Sequence, residues 1–261
     1  MSQASLHHQV SGPEHAPALV LLHALATHGE LWRAQIPVWA TRMRVITIDL
    51  PGHGRSPRIE GVLTLADHAR QVALVLDDLG VQRAALVGLS LGGMVAQAYA
   101  LAYPERCLAL VLAHTSARTP EPLRAIWAQR CAQAAAQGLP AQVPSILERW
   151  FPPTFAQTSP WTLRWIAGQI TSTSAEGYIS AIRAIQGLDH LDRLHVVGAP
   201  TLVIAGELDA AAPPDAGARL AAQMPNARLV VLPGVAHLGN VQAPVLFTET
   251  VGTFLQTVVA H

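Results

Sequence analysis

Residues 84–102 read AALVGLSLGGMVAQAYALA. Ala84 to Gly88 is a short unbroken apolar run, the pattern of a strand covered on both faces. Gly88-Leu89-Ser90-Leu91-Gly92 has the form G-x-S-x-G, and Gly93 to Ala102 is rich in Ala, Met and Leu, which favour helix. Strand, tight serine-centred turn and helix form the setting in which this motif makes a nucleophile elbow. The flanking glycines admit a strained turn, because a Cβ at either would crowd the strand or the helix. The turn lifts the Ser90 hydroxyl off the sheet, beside the first N–H groups of the helix. The bare motif arises by chance in roughly one chain in ten of this length. The weight therefore rests on the flanking elements and on whether an acid and a histidine follow.

Strands and helices alternate outward from this unit. Residues 5–10 read as an edge strand ended by Gly12-Pro13. Ala18 to Leu22 and Arg44 to Leu50 read as strands, and Leu31 to Thr41 as a helix that Pro37 should kink. Thr64 to Leu79 reads as a helix with a capping-box start at Thr64 and Asp67 and a stop at Gly80. Leu108 to Ala113 is another buried strand. The pattern resumes at Pro200 with TLVIAGE, a helix near Ala216 to Met224, RLVVLPG, and a last helix from Pro244 to about Val259. Alternation of this kind predicts a mostly parallel sheet flanked by helices.

Residues 119–187 break the alternation. They read as helices at Glu121–Gln137, Val143–Trp150, Trp161–Ile170 and Ala175–Ile185. Four of the six tryptophans lie here with five arginines. A helical insertion after the strand that follows the nucleophile is most simply a lid. The expected division is residues 1–118 and 188–261 as core and 119–187 as lid.

Composition narrows the functions. The 261 residues suit one domain; 51% are hydrophobic and 13% charged, which excludes a disordered chain. A formal net charge of zero with no basic run argues against nucleic acid or anionic membrane as partner. All 17 basic side chains are Arg, so catalytic-lysine chemistry is excluded. Cys107 and Cys131 form no motif and read as free thiols of a reducing compartment. With no charged leader, no apolar core after it and no membrane-length apolar run, the expected location is the cytoplasm. No zinc, redox-cysteine or phosphate-loop motif occurs, so no metal and no cofactor is expected.

A serine hydroxyl needs a base to take its proton, and the base needs an acid to fix its tautomer. Both belong on loops at the carboxyl ends of later strands. His237 follows RLVVLPG and precedes the last helix. Its rival, His114, directly follows the 108–113 strand but precedes every acid available. Asp209 follows TLVIAGE; Glu207 sits closer to the strand, and Asp215 suits a helix start. The predicted catalytic set is Ser90, Asp209 and His237. An oxyanion needs two N–H donors, expected at Leu91 and, after the first buried strand, at Leu25. Asp49, His53 and His23 are expected to pin loops.

With these residues in place the chain resembles the α/β-hydrolase family over nearly its whole length, through HALAT, DLPGHGRS, GLSLGGMVAQ, GELD and GVAHLGN in the family's order. Within that family it looks most like the 3-oxoadipate enol-lactonases, through ILERWFPPTFAQ, TSTSAEGYISAIRAIQGLD and AHLGNVQAP. His23-Ala24 departs from the His-Gly of many members. The resemblance implies a Ser-Asp-His triad acting on a small, anionic lactone in aromatic-compound breakdown; a monomer or small homo-oligomer is expected. A lid arginine should then receive the substrate carboxylate. Arg130, one turn from Trp127, is expected in that role, with Arg149 beside Trp150 as the rival. Related carboxylesterases, C–C bond hydrolases and perhydrolases share the triad segments and are the alternatives, followed by a non-catalytic member of the fold that binds a small ligand, against which the intact triad argues.

Overall fold

A computed structural model describes residues 5–259. Strand β1 (His8–Ser11) precedes β2 (Ala18–Leu22), the short helix α1 (Ile36–Trp39), β3 (Arg44–Ile48) and α2 (Leu65–Asp78). Next come β4 (Ala84–Leu89), α3 (Leu91–Ala102) and β5 (Cys107–Ala113). Five helices then intervene: α4 (Glu121–Gln137), α5 (Val143–Trp150), α6 (Pro153–Thr158), α7 (Pro160–Ser172) and α8 (Ala175–Gln186). The chain closes with β6 (Thr201–Gly206), α9 (Pro214–Gln223), β7 (Ala227–Leu232), α10 (Gly239–Gln242) and α11 (Pro244–Val259).

The seven strands form one sheet in the order β1-β3-β2-β4-β5-β6-β7. Only the edge strand β1 runs antiparallel, on β3. Strands β2, β4 and β6 are buried at every position, which is why they read as continuous apolar runs instead of alternating ones. Full burial of one such Leu or Val contributes roughly 1.5–3 kcal/mol. The carboxyl ends of β2, β4, β5, β6 and β7 therefore lie side by side along one rim of the sheet.

Local sequence explains most boundaries. Thr64 and Asp67 close a reciprocal capping box at the start of α2, and Gly80 ends that turn at φ 67°. The helix expected over residues 31–41 is instead a 3₁₀ turn at Gly29–Trp32 followed by α1. Pro37 sits in the first turn of α1, where its missing N–H costs nothing, so it starts a helix instead of kinking one. Of the expected strand over residues 5–10, only His8 onward pairs.

The four expected helices of the 119–187 insertion are all present, and α6 is added between the second and third. Its two ends are tied together. The Thr119 N–H donates to the Leu188 carbonyl at 2.9 Å. On the surface Arg118 reaches Asp189 at 2.7 Å and Asp192 at 2.6 Å.

Candidate active site

Ser90 joins β4 to α3 at φ 55° and ψ −113°. This is strained backbone for a residue with a Cβ. The glycines around it explain how it is held. A Cβ on Gly88 would run into the Gly92 carbonyl, and one on Gly92 into the Leu22 carbonyl of β2. The Gly92 N–H donates to the His23 carbonyl at 3.0 Å, tying the elbow to the end of β2. Thr115 Oγ1 donates to the Ser90 carbonyl at 2.8 Å from the other side. Among the described residues only Ala26, Ser90 and His114 combine a side chain with positive φ. All three follow strands that end at the same rim.

The structure brings Ser90, His237 and Asp209 together. Ser90 Oγ lies 3.0 Å from His237 Nε2. Nδ1 of His237 faces both oxygens of Asp209, at 3.0 Å from Oδ1 and 2.9 Å from Oδ2. A carboxylate only accepts, so Nδ1 carries the proton and Nε2 is free to take one from Ser90. The loop after β7 holds His237 by its own N–H, which donates to the Trp150 carbonyl at 3.1 Å. Asp209 Oδ1 also accepts from the N–H groups of Ala211 and Ala212, at 2.8 and 2.9 Å. Burial opposes ionisation of Asp209. The neighbouring His237 and the hydrogen bonds from His114 and His237 outweigh it and hold the carboxyl below the usual carboxylate range.

The other acids lie elsewhere. Glu207 accepts from the Gly234 N–H at 2.7 Å and braces the turn after β7. Asp215 stands in the first turn of α9 and makes no side-chain cap bond there. His114 is not the partner of Ser90. Its Nδ1 lies 3.2 Å from Asp209 Oδ2, so its ring is turned to the acid and not to the serine hydroxyl, which His237 Nε2 meets.

The loop after β2 is pinned from within. His23 Nδ1 donates to the Ala24 carbonyl at 2.8 Å, and its Nε2 accepts from the Leu50 N–H at 2.8 Å. Burial pushes His23 down to about 3, so it stays neutral in this bridging role. Thr27 Oγ1 adds a bond to the same Ala24 carbonyl at 2.8 Å. Asp49 accepts from the N–H groups of Gly29 and Arg55 at 2.7 and 2.9 Å. The His53 ring donates to the Pro51 carbonyl at 3.1 Å. All three side chains thus brace loops. Neither the Leu25 N–H nor the Leu91 N–H has a hydrogen-bond partner among the described residues, so both remain available to a ligand oxygen.

Ser90 opens into a cavity of about 280 Å³ between the sheet rim and the insertion. Leu25, Trp127, Arg130, Arg149 and Trp150 all line it. The Arg130 guanidinium stacks over the Trp127 ring at 4.5 Å, and burial lowers its pKa. Neither Arg130 nor Arg149 forms an ion pair among the described residues. Tyr178 also lines the cavity. Its hydroxyl meets Gln142 Oε1 at 3.2 Å while Gln142 Nε2 donates to the Arg130 carbonyl at 3.0 Å, so α8 steadies the α4 segment that carries Arg130. Sequence reasoning missed Tyr178; a tyrosine in a helical face gives no signal of which cavity it reaches. The remaining tryptophans do other work. Trp32 and Trp39 are core, Trp161 is 74% exposed, and Trp165 packs under Arg33 at 3.6 Å.

Larger depressions of about 510 and 490 Å³ lie against α11 and beneath the Asp49 loop, and neither contains Ser90 or His237. No group of three or more His, Cys, Asp or Glu side chains is placed to hold a metal among the described residues. No helix among them is long and apolar enough to cross a membrane.

A mostly parallel sheet with a serine on a strained elbow after β4, an aspartate after β6 and a histidine after β7 defines a hydrolase of the α/β type. The chain belongs to the alpha/beta hydrolase fold family, whose pattern matches residues 17–244. Among its relatives, 3-oxoadipate enol-lactonase 2 of Acinetobacter baylyi is 30% identical, over 95% of this chain and 91% of that protein. A pimeloyl-(acyl-carrier protein) methyl ester esterase of Aeromonas hydrophila is also 30% identical, over 92% and 95% of the two chains. The crystal structure of the enol-lactonase from Burkholderia xenovorans LB400 superposes with a TM-score of 0.93 at 33% identity, covering 96% of each chain.

Proposed function

We propose that this hydrolase opens a small anionic lactone through an acyl-enzyme, with 3-oxoadipate enol-lactone as substrate and 3-oxoadipate as product. The observation that carries this reading is the hydrogen-bonded line from Asp209 through His237 to Ser90, ending in a cavity with two arginines that lack acidic partners among the described residues. Similarity to enol-lactonases supports the choice of lactone.

Ser90 Oγ gives its proton to His237 Nε2 as it bonds to the lactone carbonyl carbon. Asp209 holds the ring in the Nδ1–H tautomer and stabilises the imidazolium. The Leu25 and Leu91 N–H groups receive the carbonyl oxygen as it becomes an oxyanion. The intermediate collapses, the ring C–O bond breaks, and His237 passes its proton to the departing enol oxygen, which stays tethered to the acyl group. Water then gives a proton to His237 and attacks the acyl carbon, and Ser90 leaves with that proton. The freed enol tautomerises to the ketone. Arg130 receives the substrate carboxylate, with Arg149 as the alternative. Residues 119–187 act as a lid: α4 and α5 carry Trp127, Arg130, Arg149 and Trp150 over the serine and exclude water. On this reading the enzyme works in the cytoplasm, where Cys107 and Cys131 stay reduced.

The apolar part of the cavity wall, including Met94, Leu123, Ile126 and Ile146, favours a second reading, a carboxylesterase for neutral esters. Comparing kcat/KM for the enol-lactone and p-nitrophenyl acetate separates the two. The lactone should be preferred by about 100-fold or more, the scale of two charge-assisted hydrogen bonds. Equal rates would leave the esterase reading in its place.

A further inference from the structure

His114 touches the proposed acid, and the mechanism above gives it no task. It follows the last residue of β5 at φ 50°. Its ring is fully buried, lies nearly parallel to Phe247 at 6.5 Å and meets the His237 ring edge-on at 6.2 Å. Nδ1 lies 3.2 Å from Asp209 Oδ2. Because a carboxylate only accepts, that nitrogen must carry the proton. Nε2 is then a bare lone pair, and it has no partner among the described residues. Packing does not ask for this arrangement. A Phe or Leu would fill the slot beside Phe247 without burying an unpaired ring nitrogen.

We propose that His114 is a positioning residue for the acid, a second imidazole that fixes the Asp209 carboxylate for His237. The inference rests on the Ser90–His237–Asp209 reading. Ala211 and Ala212 hold Oδ1 from one side at 2.8 and 2.9 Å. His114 holds Oδ2 from the other. Clamped at both oxygens, the carboxylate cannot rotate away from its two-oxygen contact with His237 Nδ1. His114 also shares the negative charge of Oδ2. Without it more charge faces His237, which favours the imidazolium over the neutral ring that must take the proton of Ser90. The groups facing His237 are Asp209 after β6, His114 after β5, Ser90 on the elbow and Trp150 from α5, with Arg130, Arg149 and Tyr178 the other ionisable side chains of the cavity. Of these, only His114 changes in the variants whose pH profiles are compared, and Ser90 only in the control.

The test is the pH profile of kcat/KM for p-nitrophenyl acetate in the wild type, His114→Phe and His114→Asn. Phe keeps the stacking and removes the donor. Asn places an N–H₂ near the position of Nδ1 and tolerates the left-handed backbone. His114→Phe should lower kcat about tenfold with little change in KM and move the acidic limb upward by about half a pH unit. His114→Asn should recover most of both losses. An unmoved limb in His114→Phe, or an Asn variant that falls as far as Phe, would overturn the proposal in favour of plain packing. If His114→Phe does not fold, nitrogen-15 NMR of the wild-type imidazoles decides. A neutral His114 protonated on Nδ1 supports the assignment, and one protonated on Nε2 overturns it. Ser90→Ala is run alongside. Turnover there would sink the catalytic reading itself, whereas an inactive Ser90→Ala with an unmoved limb sinks only the role of His114.

Discussion

Arg130→Gln tests how the cavity selects its substrate. The guanidinium lies 4.5 Å over the Trp127 ring, has no acidic partner among the described residues and lines the same cavity as Ser90. Burial already disfavours its charge, so an incoming carboxylate relieves a cost instead of replacing an existing ion pair. A charge-assisted hydrogen bond contributes about 1.5–3 kcal/mol, and 2 kcal/mol corresponds to about 30-fold in kcat/KM. Gln retains a donor and much of the volume but loses the charge. The variant should therefore lose about 10- to 100-fold in kcat/KM toward the enol-lactone, chiefly through KM. Toward p-nitrophenyl acetate it should change by less than about threefold, because that ester carries no carboxylate. Loss of the stacked cation should cost about 0.5–1 kcal/mol of stability, so thermal melts run beside the kinetics to exclude partial unfolding. An equal loss on both substrates would remove Arg130 from recognition. No loss on either would move the role to Arg149.

Three further outcomes are expected. Asp209→Asn should keep the fold and lower kcat by about 10³–10⁴-fold, because Asn can donate to Nδ1 and favour the wrong tautomer; steady-state kinetics with circular dichroism checks both halves. Gly92→Ala should abolish activity and lower Tm by several degrees, since its Cβ meets the Leu22 carbonyl and the strand and helix must part; a melt indistinguishable from wild type would contradict this. Acid should destabilise the protein early. Burial pushes His23 and His53 down to about 3 and His68 and His190 to about 4, so these rings are neutral when folded. Unfolding frees them to take protons below their ordinary value of 6.5, so the unfolded chain binds more protons and stability falls as pH drops from about 6.5 toward 3. Each ring adds up to about 1.4 kcal/mol per pH unit to that slope. His68, with neither ring nitrogen partnered, is the place to check. His68→Leu should flatten the slope by roughly one ring in urea titrations between pH 7 and 5, and an unchanged slope would show that His68 is protonated in the folded protein.

The sheet was legible because most inner strands are apolar runs closed by turns, and the elbow because its glycines are forced by backbone contacts that admit no Cβ. Chain order pointed to His237 and Asp209, and the structure brings both to Ser90. Its place directly after a strand made His114 a competitor for the serine, although chain order spoke against it. It follows a strand that ends at the same rim, and only the side-chain contacts show that it meets Asp209 and leaves Ser90 to His237. Residues 31–41 misled for a local reason: a proline read as a helix breaker also suits a first helical turn. Helix α6 begins at the second proline of Pro152-Pro153, a dipeptide that reads as a loop. Tyr178 became visible only through the Gln142 bridge, a contact between residues 36 positions apart.

The most direct test of the central claim is covalent. The intact protein is treated with a fluorophosphonate ester, which reacts with a serine only where a base removes its proton, and the adduct is located by peptide mass spectrometry. One adduct should form, on Ser90, and it should be absent from Ser90→Ala and slowed at least a hundredfold in His237→Ala. Labelling at another residue, or turnover of p-nitrophenyl acetate undiminished in Ser90→Ala, would contradict the account.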